Sequence, residues 1–177
     1  MGHLQDKSVY LGGAISNCPL LKQGINWRPP VIQELETRFG LNVFDPLSDP
    51  KQQFVDDVKR AQQNKDEHAL RMVATGFVQK DLQKVARCDF TIHKIVTNVD
   101  SPGSTDEIMF ASRQLKNPTL IVCEEGRFNL STWYWGCINP EFLFSSWDEL
   151  YDYLAEVDDP NFSCGMSRRW NMVREII

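Results

Sequence analysis

The sequence has no apolar run approaching the roughly 18 residues that a membrane-spanning helix needs. It has no Cys-x-x-Cys pair, and none of its 3 histidines (His3, His68 and His93) has a ligand partner nearby in the chain. No metal site is therefore expected. The 5 cysteines, Cys18, Cys88, Cys123, Cys137 and Cys164, are odd in number and scattered, which points to reduced, mostly buried thiols. A clustered basic face is also missing. With a formal charge of −5, the chain is not expected to hold a nucleic-acid polymer, although a small anion in a local pocket stays open. Residues 1–7 lack the basic-then-apolar pattern of a signal peptide, and Lys7 stands where a myristoylation signal wants Ser or Thr. These absences describe a soluble, cytoplasmic protein with no membrane partner.

What is present suits one compact domain. Its 177 residues are 42% hydrophobic, with no internal repeat and no low-complexity segment. The domain is expected over residues 1–157, leaving 158–177 as a tail that packs on the domain or on a neighbouring subunit.

Ser8-Val9-Tyr10-Leu11 reads as a buried strand that breaks into a tight turn at Gly12-Gly13. Pro29-Pro30 opens a helix over residues 31–39 that stops at Gly40. Residues 41–44 form a second short strand, and the charged stretch 50–67 is helical in part. Residues 68–87 give the clearest helix, with Leu70, Ala74, Phe77, Val78, Leu82 and Val85 on one stripe. Strands follow at 89–96, 119–123 and 141–144, with helices at 104–116 and 147–157. Short apolar strands alternating with helices predict an α/β, flavodoxin-like doubly wound domain with about five mainly parallel strands. Such sheets bind ligands beyond the carboxyl ends of their strands, near the switch point.

Two acids stand out. Asp81 lies within the apolar stripe of its helix, between Phe77 and Val85. It either reaches solvent or a basic partner at the helix end, or it is a carboxyl aimed into a cleft, where burial favours the proton-donating form. Glu107 follows Ser104 by three residues, the spacing of a capping box at a helix start. The same helix dipole would keep it ionised, as a nucleophile must be. Two carboxylates are the equipment of retaining glycosyl transfer, one attacking the anomeric carbon while the other protonates the leaving group.

Three segments resemble the nucleoside 2-deoxyribosyltransferase family and its relatives, the 2'-deoxynucleoside 5'-monophosphate N-glycosidases. Val9-Tyr10-Leu11-Gly12-Gly13-Ala14 is similar to the family's first strand and glycine turn. Asp81-Leu82 looks like its Asp-Leu segment. Gly103-Ser104-x-x-Glu107-Ile108-x-Phe110 resembles its Gly-[Ser/Thr]-x-x-Glu-[Ile/Leu] motif, whose Glu is the nucleophile. The 26 residues from Asp81 to Glu107 agree with the family's interval, and the resemblance spans residues 9–123. It implies a double displacement at C1' of a nucleoside or nucleoside 5'-monophosphate, with Glu107 as nucleophile, Asp81 as proton donor, and no metal or organic cofactor.

Substrate-binding residues follow from the same resemblance. Many transferases of the family carry an Asp six residues before the nucleophile, whereas this chain has Ser101 there and Asp100 one place earlier. A Ser at this place is similar to the phosphate ligand of the monophosphate-cleaving relatives, since a hydroxyl donates to a phosphate that an acid would repel. Ser101 is otherwise a plain loop serine. Ser16 is a comparable candidate, and Tyr10 is placed at the pocket. Trp27-Arg28 resembles a pair in some relatives; Trp27 is expected to stack on the base or to anchor the core, and Arg28 to meet an anion. Asn129-Leu130 is similar to a segment whose Asn reaches a neighbouring subunit's sugar, which implies a homo-oligomer. Trp133, Tyr134 and Trp135 serve the core or a subunit interface.

Three function classes stand at this point. The leading one is deoxyribosyl transfer between bases. Hydrolysis of a deoxynucleoside monophosphate to base and deoxyribose 5-phosphate is the second, and a non-catalytic nucleotide-binding module the third. The presence of both Asp81 and Glu107 weighs against the last.

Overall fold

The computed structural model describes residues 2–15, 26–48 and 52–161. Five strands form one sheet: β1 (Ser8–Gly13), β2 (Asn42–Phe44), β3 (Phe90–Lys94), β4 (Thr119–Val122) and β5 (Leu143–Phe144), in the order β2-β1-β3-β4-β5. All neighbouring pairs are parallel. The chain is thus an α/β domain of flavodoxin-like topology, and its switch point lies between β1 and β3.

The helices divide between the two faces. Helix α1 (Arg28–Phe39) packs with α6 (Trp147–Asp158) on one side. Helices α2 (Gln52–Gln63) and α3 (Glu67–Arg87) pair with each other, and α3 packs with α4 (Pro102–Met109) on the other side. A short α5 (Thr132–Cys137) connects β4 to β5. Parallel strands need such crossovers, and covering both faces lets the strands be apolar throughout.

Local chemistry sets the helix ends. Pro29 and Pro30 occupy the first turn of α1, where a missing N–H costs nothing, and Gly40 closes the helix at φ 64. Asp66 caps α3 by accepting from the Ala69 amide at 2.9 Å, and Ser146 caps α6 by accepting from the Glu149 amide at 3.1 Å. The chain's beginning is tied to the end of α6, where Leu4 N donates to Asp158 Oδ1 at 2.7 Å. Val9 and Leu11 of β1 and Phe90 and Ile92 of β3 join Val31, Leu35, Leu150 and Leu154 in the main core. Each such fully buried side chain contributes about 1.5–3 kcal/mol. On the opposite face Tyr10, Val85, Cys88 and Ala111 form a smaller cluster.

Several expectations are corrected. Gly12 and Gly13 lie inside β1 instead of forming a turn after it. Residues 141–142 belong to a 3-10 turn, so β5 is only Leu143–Phe144. The expected stripe on α3 is narrower than six residues: Asp81 and Val85 are buried, whereas Ala74 and Val78 are exposed. A period of 3.6 marks a face but does not say how much of it is covered, and the buried positions of α3 fall in its second half. The fourth helix begins at Pro102, not at residue 104, and Phe110–Leu115 continue it in π geometry. Helix α6 ends at Asp158, and residues 162–177 of the expected tail lie outside the described residues. Among the described residues no helix is long and apolar enough to cross a membrane.

Candidate active site

A cleft of about 360 Å³ opens at the carboxyl edge of β1, at the switch point. Its lining brings together Gly13, Asp81, Asp100, Ser101, Gly103, Ser104 and Glu107 from three separate parts of the chain. The volume suits a small-molecule site, for which roughly 300–1,000 Å³ is usual. Ile15, Pro46 and Phe77 complete the walls. Phe77 precedes Asp81 by four residues, so the helical period that carries Asp81 into the cleft carries Phe77 with it.

Asp81 is 5% exposed, on the last turns of α3 that the sheet covers. Glu107 is 13% exposed and lies in the second turn of α4. Its setting differs from the expected capping box. Ser101 holds the N-cap position and Pro102 starts the helix, so Ser104 is the third helical residue, and its hydroxyl accepts from Ser101 Oγ at 2.8 Å. Glu107 is one turn too deep to cap the helix, and the dipole's influence falls off beyond the first turn. Its carboxylate is instead engaged from the sheet: Tyr10 Oη donates to Glu107 Oε1 at 2.8 Å. Burial, and then the nearby charges of Glu107 and Asp81, push the Tyr10 phenol well above its ordinary pKa of 10. Tyr10 therefore stays a protonated donor at any working pH.

Behind Glu107 lies His93, which the sequence reading passed over. Its ring is fully buried, and Nδ1 stands 4.0 Å from Glu107 Oε2. Burial, assisted by the Arg28 guanidinium, drives its pKa down to about 3, so the imidazole is neutral. His93 pairs in register with Gly12, where a Cβ would stand 2.1 Å from Nδ1. Gly12 is thus a glycine because the imidazole occupies the space. Gly13 has φ +143, a region that L side chains rarely adopt, and an added Cβ there would meet the Lys94 carbonyl at 2.9 Å.

Other candidates lie elsewhere. Arg28 is fully buried and pairs through Nε with Asp45 Oδ1 at 3.1 Å, while Nη2 donates to the Gly13 carbonyl at 3.0 Å. Its recorded anion is Asp45, and it ties the start of α1 to the ends of β1 and β2. Trp27 stacks on Trp147 with ring centroids 5.5 Å apart and belongs to the main core; it packs beside Gly13 and is not among the residues that line the cleft. Asn129 sits in a 3-10 turn, where its side chain donates to the Glu125 carbonyl. Ser16, Cys18 and Cys164 lie outside the described residues. Of the aromatic run, Trp133 is 64% exposed, while Tyr134 and Trp135 pack against the core. Among the described residues, no group of three His, Cys, Asp or Glu side chains is placed to hold a metal ion.

Fold and cleft together describe a flavodoxin-like α/β domain with three carboxylates gathered at its switch point. No family model matches the sequence, and comparison with curated proteins found no match. A solved structure shares the fold: a 2-deoxyribosyltransferase from the psychrotolerant bacterium Bacillus psychrosaccharolyticus, described as a biocatalyst for nucleoside synthesis, with a TM-score of 0.54. The likeness covers 82% of this chain and 91% of the other, at 20% identity. At that identity it establishes the fold, the same one that the motifs resemble.

Proposed function

We propose that the chain cleaves the N-glycosidic bond of 2'-deoxynucleosides and passes the deoxyribosyl group to another base. The observation that carries this reading is that Asp81 and Glu107 line one cleft, with Glu107 held by a buried phenol. One Glu107 oxygen forms a bond to C1' as the C1'–N bond breaks. The electron pair of that bond goes to the departing base, which takes a proton from Asp81. A deoxyribosyl ester on Glu107 results. An incoming base then attacks C1', releasing the Glu107 carboxylate, and its proton passes to Asp81. Nothing in the sequence calls for a metal or cofactor. The walls that Phe77, Ile15 and Pro46 supply offer apolar surface for the base.

The lining favours a neutral nucleoside. It carries the carboxylates of Asp81, Asp100 and Glu107 and, among the described residues, no lysine or arginine. A phosphate dianion there meets like charge. The hydroxyls of Ser101 and Ser104, at the start of α4, support the second reading, hydrolysis of a 5'-monophosphate with water as acceptor.

The deciding experiment mixes the purified chain with deoxynucleosides, deoxynucleoside 5'-monophosphates and a free acceptor base, and separates the products by chromatography. A new nucleoside supports transfer. Free base with deoxyribose 5-phosphate supports the second reading. Turnover of none of these, or turnover that survives in Glu107→Gln, refutes both.

A further inference from the structure

A buried imidazole at the centre of β3 needs an explanation. Both ring nitrogens of His93 lack a hydrogen-bond partner in a fully enclosed setting. Leaving such groups desolvated is costly, and an apolar side chain at the same place would incur no such cost. Gly12 gives up a side chain on the adjacent strand to admit this ring. The ring stands behind the Glu107 carboxylate, whose Oε1 is taken by Tyr10 and whose Oε2 faces Nδ1 at 4.0 Å. That separation exceeds a hydrogen bond by about 1 Å. Hydrogen bonds of catalytic groups tighten in the substrate complex, so a movement of this size is ordinary.

We infer that His93 is a second positioning residue for Glu107, its neutral Nδ1–H donating to Oε2 as Tyr10 donates to Oε1 when the carboxylate moves onto substrate. The inference rests on the reading of Glu107 as nucleophile. Two donors on two oxygens fix the plane of the carboxylate and hence its line of approach to C1'. A charged imidazolium would neutralise the attacking group. A neutral imidazole orients it and leaves the charge in place, and burial keeps His93 neutral. Tyr10 from β1 and His93 from β3 approach the Glu107 carboxylate, and Asp81 from α3 lines the same cleft.

The test uses three variants of the whole chain. His93→Leu removes the donor while filling the space. His93→Asn places an amide N–H where Nδ1 stands, and His93→Gln places one where Nε2 stands. The titration of the Glu107 carboxyl is followed by 13C NMR with a saturating carbocyclic 2'-deoxynucleoside bound, which cannot be cleaved; the signal is assigned by its loss in Glu107→Gln, and deoxynucleoside cleavage is measured alongside. His93→Leu is expected to raise the Glu107 midpoint by about one unit and to lower kcat roughly tenfold with KM little changed. His93→Asn restores both, and His93→Gln does not. If His93→Leu does not fold, the Asn–Gln comparison decides alone. An unmoved midpoint in His93→Leu, or equal behaviour of the Asn and Gln variants, overturns the inference. A midpoint shifted by His93→Leu, when the wild-type protein itself cleaves no deoxynucleoside, leaves the positioning intact and removes the nucleophile reading.

Discussion

Removing one oxygen atom from Tyr10 tests the link between the sheet and the candidate nucleophile. The Tyr10 hydroxyl donates to Glu107 Oε1 at 2.8 Å, and its ring packs with Val85, Cys88 and Ala111. Tyr10→Phe keeps the ring contacts and deletes only the donor. A hydrogen bond to a charged group is worth about 1.5–3 kcal/mol, and every ~1.4 kcal/mol is a factor of ten. The expected loss in kcat/KM is therefore roughly ten- to hundredfold. The same energy appears as a shift in Glu107: without its donor the ionised form is less favoured, so the acid limb of the pH–rate profile should move upward by about one to two units. The assay is release of base from a deoxynucleoside across pH 4–9, with urea unfolding measured in parallel. By linkage the same shift should cost about 1.4–2.7 kcal/mol of stability at neutral pH and little below the Glu107 midpoint, where the carboxyl is protonated. A Tyr10→Phe rate within twofold of wild type together with an unmoved acid limb refutes the reasoning. A drop in the urea midpoint of equal size at acid pH, where Glu107 is protonated, would show that the hydroxyl serves the core, not the nucleophile.

Three further predictions concern the frame around the cleft. Gly12→Ala drives a methyl to 2.1 Å from His93 Nδ1 and should destabilise the protein by about 1–3 kcal/mol in urea unfolding, with most of the loss recovered in Gly12→Ala/His93→Ala; an additive double variant would sink the packing argument. Arg28→Ala leaves Asp45 without its buried partner and should cost about 3–5 kcal/mol of stability, read from the urea midpoint; a loss below about 1 kcal/mol would mean that the pair does not tie α1 to the sheet. Burial pushes folded His93 down to about 3 from an ordinary 6.5, so its protonation takes nothing from stability above pH 6.5, and stability falls as pH drops from 6.5 toward 3. Its share is at most about 1.4 kcal/mol per unit, or roughly 2 kcal/mol by pH 5, and His93→Leu should flatten the urea midpoint between pH 6.5 and 5.

The sequence by itself determined the order of the elements, the parallel α/β sheet and the two acids worth watching. These depend on short-range signals. Apolar runs bounded by glycine and proline mark the strands, and the polar Asp81 between Phe77 and Val85 is anomalous within a single helix. The motif resemblance placed Gly103, Ser104 and Glu107 together because they are neighbours in the chain. Only the tertiary structure decided what holds Glu107. A capping box was the local answer, but α4 starts at Pro102, and the donor to Glu107 comes from Tyr10, 97 residues away. That contact exists because β1 and β3 pair with Tyr10 beside Thr91 and Gly12 beside His93, a register that no local pattern specifies. The same register explains the glycine at position 12 and puts a neutral imidazole behind the carboxylate. Arg28 and Trp27 show the converse, since a charge and an aromatic ring suited to a ligand are taken up by Asp45 and Trp147. A residue type states what a side chain is able to bind, and only the packing of distant segments states what it meets.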